Sequence, residues 1–347
     1  MYIKKILVAI AIIGLVIAAY FANFVYGAMF KKNTAFNNDK AYIYIPTDAR
    51  YEDVREQLIP LLKDINSFDA LAERKEYTTN IRAGRYAIEK DMSNNDIINS
   101  IRINNLPIQL SFNNQERIQD LAGRIAQQIE PDSLTLLKAM TDKAFLEKNK
   151  FTEGTVINMY VPNSYEFFWN TSAEAFRDKM LKEYFKFWNN NRQAKRKALN
   201  LSVNEVMTLA SIVQKETAKV DERPRVAGVY LNRIKRGMPL QADPTVIFAK
   251  KSKENDFDQV IKRVLYKDLE IDSPYNTYKY PGIPPGPITM PDVSAIDAVL
   301  NPEKHDYYYF VANVKNFGYH KFAKTLNQHN ANRQEYVNWI NSQGVNR

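Results

Sequence analysis

Between Ile6 and Phe30 the chain carries no charged side chain, and Ile6 to Ala22 is almost continuously apolar. Such a run is long enough to cross a bilayer core of about 30 Å. It is too long for the apolar part of a signal peptide, and no small-x-small cleavage site follows it. It therefore reads as an uncleaved transmembrane anchor over 6–30, with residues 1–5 as a cytoplasmic tip. Lys4 and Lys5 precede the run and Lys31 and Lys32 follow it, so the flanking charges leave its orientation open. A short N-terminus before a long domain favours export of the C-terminal bulk, because long domains translocate largely regardless of charge.

Composition bears on what such an anchor would carry. The chain has 347 residues, enough for two further domains. Its net charge of +9 suits an anionic partner, whether a membrane surface, an acidic polymer or nucleic acid. Export by the anchor ranks nucleic acid last. There is no cysteine, hence no disulfide framework and no thiolate chemistry.

Residues 31–40 are polar and read as a linker. The block 41–112 is a small β-α-β-type module. Ala41 to Pro46 alternates as a strand, and Tyr51 to Leu62 has helical spacing. Ala83 to Ile88 is a turn into a strand, and Ser93 caps a helix with Ile97, Ile98 and Ile101 inward. Pro107 to Phe112 is a further strand. Residues 113–347 read as a larger α+β domain. Helices are expected over Glu116–Ile129, Leu134–Asn149 and Ser172–Leu199, the last with Phe176, Met180, Tyr184 and Trp188 at steps of four. Its basic face (Arg192, Lys195, Arg196, Lys197) reads as solvated. Val161 to Phe167 is a Pro-led turn dense in aromatics. Strands at Tyr307–Asn313 and His320–Leu326 and a helix over Asn332–Ile340 close the chain. The fold class is thus α+β after a membrane helix.

One helix inside the larger domain concentrates the chemistry. Ser202 and Glu205 form an S-x-x-E capping box at its start. Val206, Leu209, Val213, Glu216 and Val220 then recur at 3, 4, 3 and 4, an apolar stripe with one carboxylate set into it. Burial disfavours the charged form, so Glu216 is either a working acid or a structural carboxylate reaching for Arg223 or Arg225. Pro224 opens the next helix and Gly237 stops it, with Val226, Val229, Tyr230 and Ile234 inward. Gln241 and Asp243 follow on a segment bracketed by prolines. The stretch Pro281 to Ile288 is so rich in Pro and Gly that it reads as a stiff, shaped wall.

Several chemistries find no residues. His305, His320 and His329 lack metal-binding spacing, so neither a metal nor a cofactor is implied. No G-x-S-x-G elbow and no phosphate loop occurs. What remains is a carboxylate in an apolar groove with amides and aromatics on ordered loops. That suits sugar chemistry, since glycosidic cleavage needs an acid of raised pKa to protonate the leaving oxygen.

Leu209-Ala210-Ser211-Ile212-Val213-Gln214-Lys215-Glu216-Thr217, Glu222-Arg223, Val226 to Arg233, Gly237 to Val246, Tyr275-Asn276-Thr277-Tyr278, Gly282 to Ile288 and His320 to Asn330 closely resemble the endolytic murein transglycosylase family, the YceG-like proteins. The match is specific over 209–330 and weak before about 150. The resemblance implies an inner-membrane protein with a periplasmic bulk and a LysM-like module over 41–112. It implies internal cleavage of peptidoglycan strands between N-acetylmuramic acid and N-acetylglucosamine, leaving 1,6-anhydromuramoyl ends, in the company of cell-wall synthases. The family's catalytic Glu, followed by Thr, falls on Glu216. Most relatives carry a second Glu two residues earlier, where this chain has Gln214. Position 214 lies about 200° around the helix from 216, off the stripe. Asn232, Gln241 and Asn276 are then candidate hydrogen-bonders to the glycan, and Tyr165 and Tyr275 candidate stacking platforms. Asp243 either orients a neighbour or caps the segment after it. Asn163 and Ser164 stand where the family usually has Asp and Thr. Two alternatives stay open: a hydrolytic muramidase using Asp243 or Glu222 to activate water, and a strand-binding scaffold without turnover.

Overall fold

The computed structural model describes residues 2–343 and divides into two compact units. The first comprises residues 1–110 with 128–131 and 165–172; the second holds the rest. In the first unit α1 (Tyr2–Phe30) leads into β1 (Lys40–Ile45), α2 (Tyr51–Leu58), α3 (Ile65–Arg74), β2 (Gly84–Glu89) and α4 (Asn94–Ile103). α1 contains a span, Lys4–Gly27, of mean hydropathy 2.5 and no burial, long and apolar enough to cross a membrane. β1 and β2 pair antiparallel, Lys40 opposite Glu89 and Ile45 opposite Gly84. Ile43, Ile45, Ile88 and the α4 residues Ile97, Ile98 and Ile101 close a core against Phe68 and Tyr77. Ser93 caps α4 as its position before the isoleucines requires.

The stretch after α1 is not a loose linker. Asn33 and Thr34 are buried, and the Asn33 side chain donates to Asp64 O and Asn94 Oδ1 and accepts from Asp64 N. Backbone bonds from Asn33 N to Met92 O and from Ala35 N to Leu61 O complete the stitching. Polarity alone suggested exposure; buried asparagine amides that replace water with backbone partners account for the difference.

β3 (Pro107–Phe112) does not join the β1–β2 sheet. It pairs with β4 (Asn163–Phe168), so the expected aromatic turn at 161–167 is a strand. Between them lie α5 (Ile118–Ala126), α6 (Ser133–Met140) and α7 (Lys143–Asn149), the last two separated where Asp142 caps α7. The long helix expected over Ser172–Leu199 is two helices, α8 (Ala173–Phe187) and α9 (Asn190–Ala198). Asn189 breaks it by accepting from Arg192 N as a new N-cap. The basic face of α9 is engaged: Arg192 reaches Asp297 and Lys195 reaches Asn301.

The second unit is built around α10 (Val203–Glu216), followed by α11 (Arg223–Lys235), α12 (Asp243–Glu254) and α13 (Val293–Leu300). The antiparallel pair β5 (Tyr309–Ala312) and β6 (His320–Ala323) and then α14 (Leu326–Ser342) complete it. The Ser202–Glu205 capping box forms. Every residue from Val206 to Val213 is buried, so α10 is the central helix of this unit and not a one-faced surface helix. It packs on α11, α12 and α13. It ends at Glu216, which leaves Val220 outside the stripe and exposed.

The proline-rich segment, expected as a wall, backs α10. Asn204 donates to Pro285 O, Ser211 Oγ accepts from Ile288 N at 3.0 Å, and Gln214 Oε1 accepts from Asp292 N at 2.6 Å. These three residues share one face of the helix, roughly opposite Glu216 at about 100° per residue. Ser211 is buried and also donates to Thr208 O. Ser211→Ala would leave the buried Ile288 N–H without its acceptor. The expected cost is about 1–3 kcal/mol of stability, read as a lowered unfolding midpoint by the fluorescence of Trp188 in the same core.

Candidate active site

Glu216 is the last residue of α10, partly exposed at the point where the buried helix emerges. Tyr230, two turns into α11, is 2% exposed and aims its hydroxyl at the carboxylate. The O–H donates to Glu216 Oε1 at 2.8 Å. Oε2 takes no hydrogen bond from any described residue. Loss of water around the carboxylate is the largest influence on it and raises its pKa from the ordinary 4.5 to about 7. The Tyr230 hydrogen bond and the charges of His320 and Arg233 pull it down, and Asp243 pushes it up. The group is therefore poised near neutrality, with one oxygen oriented and the other available.

The two arginines nearest in sequence have other partners. Arg223 forks onto Asp292, and Arg225 pairs with Glu303. Arg233 is buried. It donates to Tyr308 O at 2.6 Å and Leu240 O at 2.8 Å and reaches Gln241 Oε1 at 3.3 Å, which fixes the segment before α12. Gln241 itself is exposed, held at φ +52 by that contact and by its N–H to Thr277 O. Asp243 is exposed at the start of α12 and accepts from the Tyr278 hydroxyl at 2.6 Å. Burial first, then Asp243, holds the Tyr278 phenol above its ordinary range.

On the remaining side the β5–β6 pair presents His320. Its backbone N–H and Nδ1 both donate to Glu222, at 2.7 and 2.8 Å. Burial works to raise the pKa of Glu222, but the bonds from His320 and from Thr217 outweigh it and hold the group below its ordinary value. With 3% exposure and both oxygens bound, Glu222 is a fixed anion that orients the histidine. Phe310 stands between the His320 ring, 4.9 Å away, and the Tyr230 ring, 6.0 Å away.

Other sequence candidates do different work. Asn232 gives its amide to His305 O and Tyr307 O, which ties the segment leading into β5 to α11. Asn276 is fully buried. Its amide donates to Leu269 O and Ile271 O and its oxygen accepts from Tyr278 N, so it shapes the loop and cannot meet a sugar. Tyr275 is wedged with its ring centroid 4.7 Å from that of Phe248, and its hydroxyl lies beside Gly286. Tyr165 stands on β4 in the first unit. The residue of the Tyr-Asn-Thr-Tyr motif that enters the Glu216 environment is Tyr278. Tyr230, Arg233, His320 and Tyr278 were not singled out from sequence; for Tyr230 its place on the inward face of α11, fourteen residues after Glu216, was the available signal.

The model of the YceG-like family matches residues 43–335. A relative from Bacillus subtilis named endolytic murein transglycosylase is 32% identical over 272 residues, covering 74% of this chain and 73% of its own. One of the same name from Streptococcus pneumoniae is 29% identical over 332 residues, covering 87% of this chain and 59% of the relative. The crystal structure of a YceG-like protein from Listeria monocytogenes superposes with a TM-score of 0.55 at 29% identity, over 85% of this chain and 99% of that one.

The site carries two pH predictions. Folding moves Glu216 from 4.5 to about 7, so the fold favours the protonated carboxyl. That preference costs nothing below pH 4.5; the cost builds as pH rises from 4.5 to 7 and is complete above 7. Glu216→Gln is therefore expected to be close to neutral at pH 5 and to stabilise by about 2 kcal/mol at pH 8, measured by denaturant unfolding at each pH. Tyr230→Phe removes a bond that favours the ionised form, so Glu216 should titrate about one pH unit higher, seen in its carboxyl infrared band.

Proposed function

The chain belongs to the YceG-like family, and from that premise we propose that it is a membrane-anchored endolytic lytic transglycosylase. It cuts the β-1,4 bond between N-acetylmuramic acid and N-acetylglucosamine in nascent peptidoglycan strands. The observation that carries the reading is Glu216: a single carboxyl near neutral pKa, one oxygen held by Tyr230 and the other unbonded. The names of the curated relatives support the same substrate polymer.

The proton cycle needs no second carboxylate. Protonated Glu216 gives its proton to the glycosidic oxygen as the bond to muramic C1 breaks and positive charge grows on the ring. The carboxylate, still held by Tyr230, then takes the proton of the C6 hydroxyl of the same ring as that oxygen closes on C1. One bond breaks, one forms, the proton returns, and no water is consumed. Gln241 and the Tyr278–Asp243 pair are the polar groups offered to the glycan. Asn232 and Asn276 serve the site through the loops they hold. Tyr275 remains a proposed stacking surface, whereas Tyr165 stands in the first unit and is given no part in the Glu216 site.

α1 supports a single-pass membrane anchor; an inner-membrane position with the rest of the chain periplasmic, and proximity to cell-wall synthases, are proposed from the family resemblance. The β1-α2-α3-β2 order supports a LysM-like reading of the first module. A hydrolytic muramidase remains the second reading, because Asp243 is exposed and close enough to raise the pKa of Glu216. Glu222, bound on both oxygens, is withdrawn as a water activator.

Turnover of uncrosslinked nascent glycan by the full chain, analysed by mass spectrometry, tests the proposal. The expected products end in 1,6-anhydromuramoyl groups, and Glu216→Gln is expected to lose about 10²–10⁴-fold in rate. Reducing ends in their place would give the hydrolase reading. Binding without cleavage by both wild type and variant would give the scaffold.

A further inference from the structure

α1 is longer than a bilayer core requires. Its 29 residues span ~44 Å, against about 30 Å of hydrocarbon. Its last ten residues lie beside α3, which runs the opposite way. The guanidinium of Arg74, at the end of α3, sits 5.4 Å over the Phe21 ring, whereas Lys63 and Asp64, just before α3, share a cavity with Gly27 and Lys31. An arginine keeps to the aqueous edge of a membrane, so Phe21 marks that edge. From Ile6 to Phe21 the helix rises ~24 Å, and Lys4 and Lys5 can snorkel at the other end. The buried Asn33 and Thr34 fix the unit at this height on its anchor.

The cavity, about 420 Å³, therefore opens at headgroup level. Tyr20, Asn23, Gly27 and Lys31 form one stripe of α1 along it, with Lys63 and Ser67 facing them. The Lys31 side chain folds back toward the bilayer, its ammonium 3.7 Å from where a Cβ on Gly27 would stand. Of the neighbouring charges, Lys32 is paired with Asp91, and the Asp64 carboxylate caps α3 through Ser67 N–H. Lys31 and Lys63 have no ion pair among the described residues.

The cavity thus holds two ammonium groups without an ion pair against one carboxylate, Asp64, which is turned onto Ser67 N–H, and the Ser67 hydroxyl donates to Asp64 O. That net positive charge beside a glycine, at the depth of lipid phosphates, matches a phosphate ester. We propose that this cavity binds the phosphate head of an anionic membrane phospholipid, its acyl chains descending along α1 past Tyr20. The proposal rests on the reading of α1 as a membrane anchor.

The test uses the full chain purified in detergent, incubated with dioleoyl phosphatidylglycerol or dioleoyl phosphatidylcholine, with bound lipid counted by native mass spectrometry. One phosphatidylglycerol per chain is expected, with phosphatidylcholine far weaker. Lys31→Gln with Lys63→Gln should lower occupancy about ten-fold. Lys31→Arg with Lys63→Arg should keep it. Inorganic phosphate should not displace the lipid. Equal retention by the double Gln variant, equal binding of phosphatidylcholine, or displacement by phosphate alone would each overturn the lipid site. Alkaline carbonate extraction of membranes separates the two readings. A chain that comes off overturns the anchor and the lipid site together, whereas a chain that stays but binds lipid indifferently overturns the site alone.

Discussion

A hydroxyl, not a cation, holds the carboxylate of Glu216. The bond from Tyr230 orients one oxygen at 2.8 Å, and desolvation keeps the pKa near 7. A guanidinium in the same place would favour the charged form and pull the pKa far down. The fold avoids this by giving each nearby arginine another partner: Arg223 takes Asp292, Arg225 takes Glu303, and Arg233 takes backbone carbonyls. The site is made as much by where those charges go as by the acid itself.

The same economy governs the polar residues around it. Asn232, Arg233 and Asn276 direct donors to main-chain carbonyls of three separate loops, at His305, Leu240 and Leu269. A loop whose carbonyls are bound by buried side chains loses little further entropy when substrate arrives, and its exposed groups stay in place. Gln241 and Asp243 are presented by such a segment, fixed behind by Arg233 and Thr277. Glu222 does the corresponding work for His320 on the strand pair.

What could be read from the chain beforehand follows the range of each signal. Caps are local, so Ser93, Ser202 with Glu205, Pro224 and Gly237 marked their helices in sequence as they do in the fold. The place of Glu216 among apolar residues was equally local. Asn189 was local too, but its cap competes with a continuous step-of-four pattern, and the pattern hid it. The pairing of β3 with β4, the burial of Asn33 and the exchange of Asn276 for Tyr278 depend on partners dozens of residues away, and no spacing within a segment records them. The proline-rich stretch shows the limit most clearly. Its Pro and Gly content was legible, but the face of α10 it lies on is set by Asn204, Ser211 and Gln214.

Gln214 settles into that last arrangement. Its Oε1 accepts the N–H of Asp292, whose carboxylate in turn caps α13 and receives Arg223. What this position requires is an acceptor for one backbone N–H, and an amide oxygen supplies it as well as a carboxylate would. A carboxylate here would also stand beside Asp292 and lean on Arg223 for compensation. The demands at the two ends of this short stretch are therefore opposite. Position 214 asks for a neutral or compensated acceptor on the wall side of α10. Position 216 holds a carboxyl beside Tyr230 whose pKa is raised to about 7, so both protonation states are within reach at neutral pH. Gln214 therefore brings no charge to that wall and leaves the carboxyl at 216 untouched.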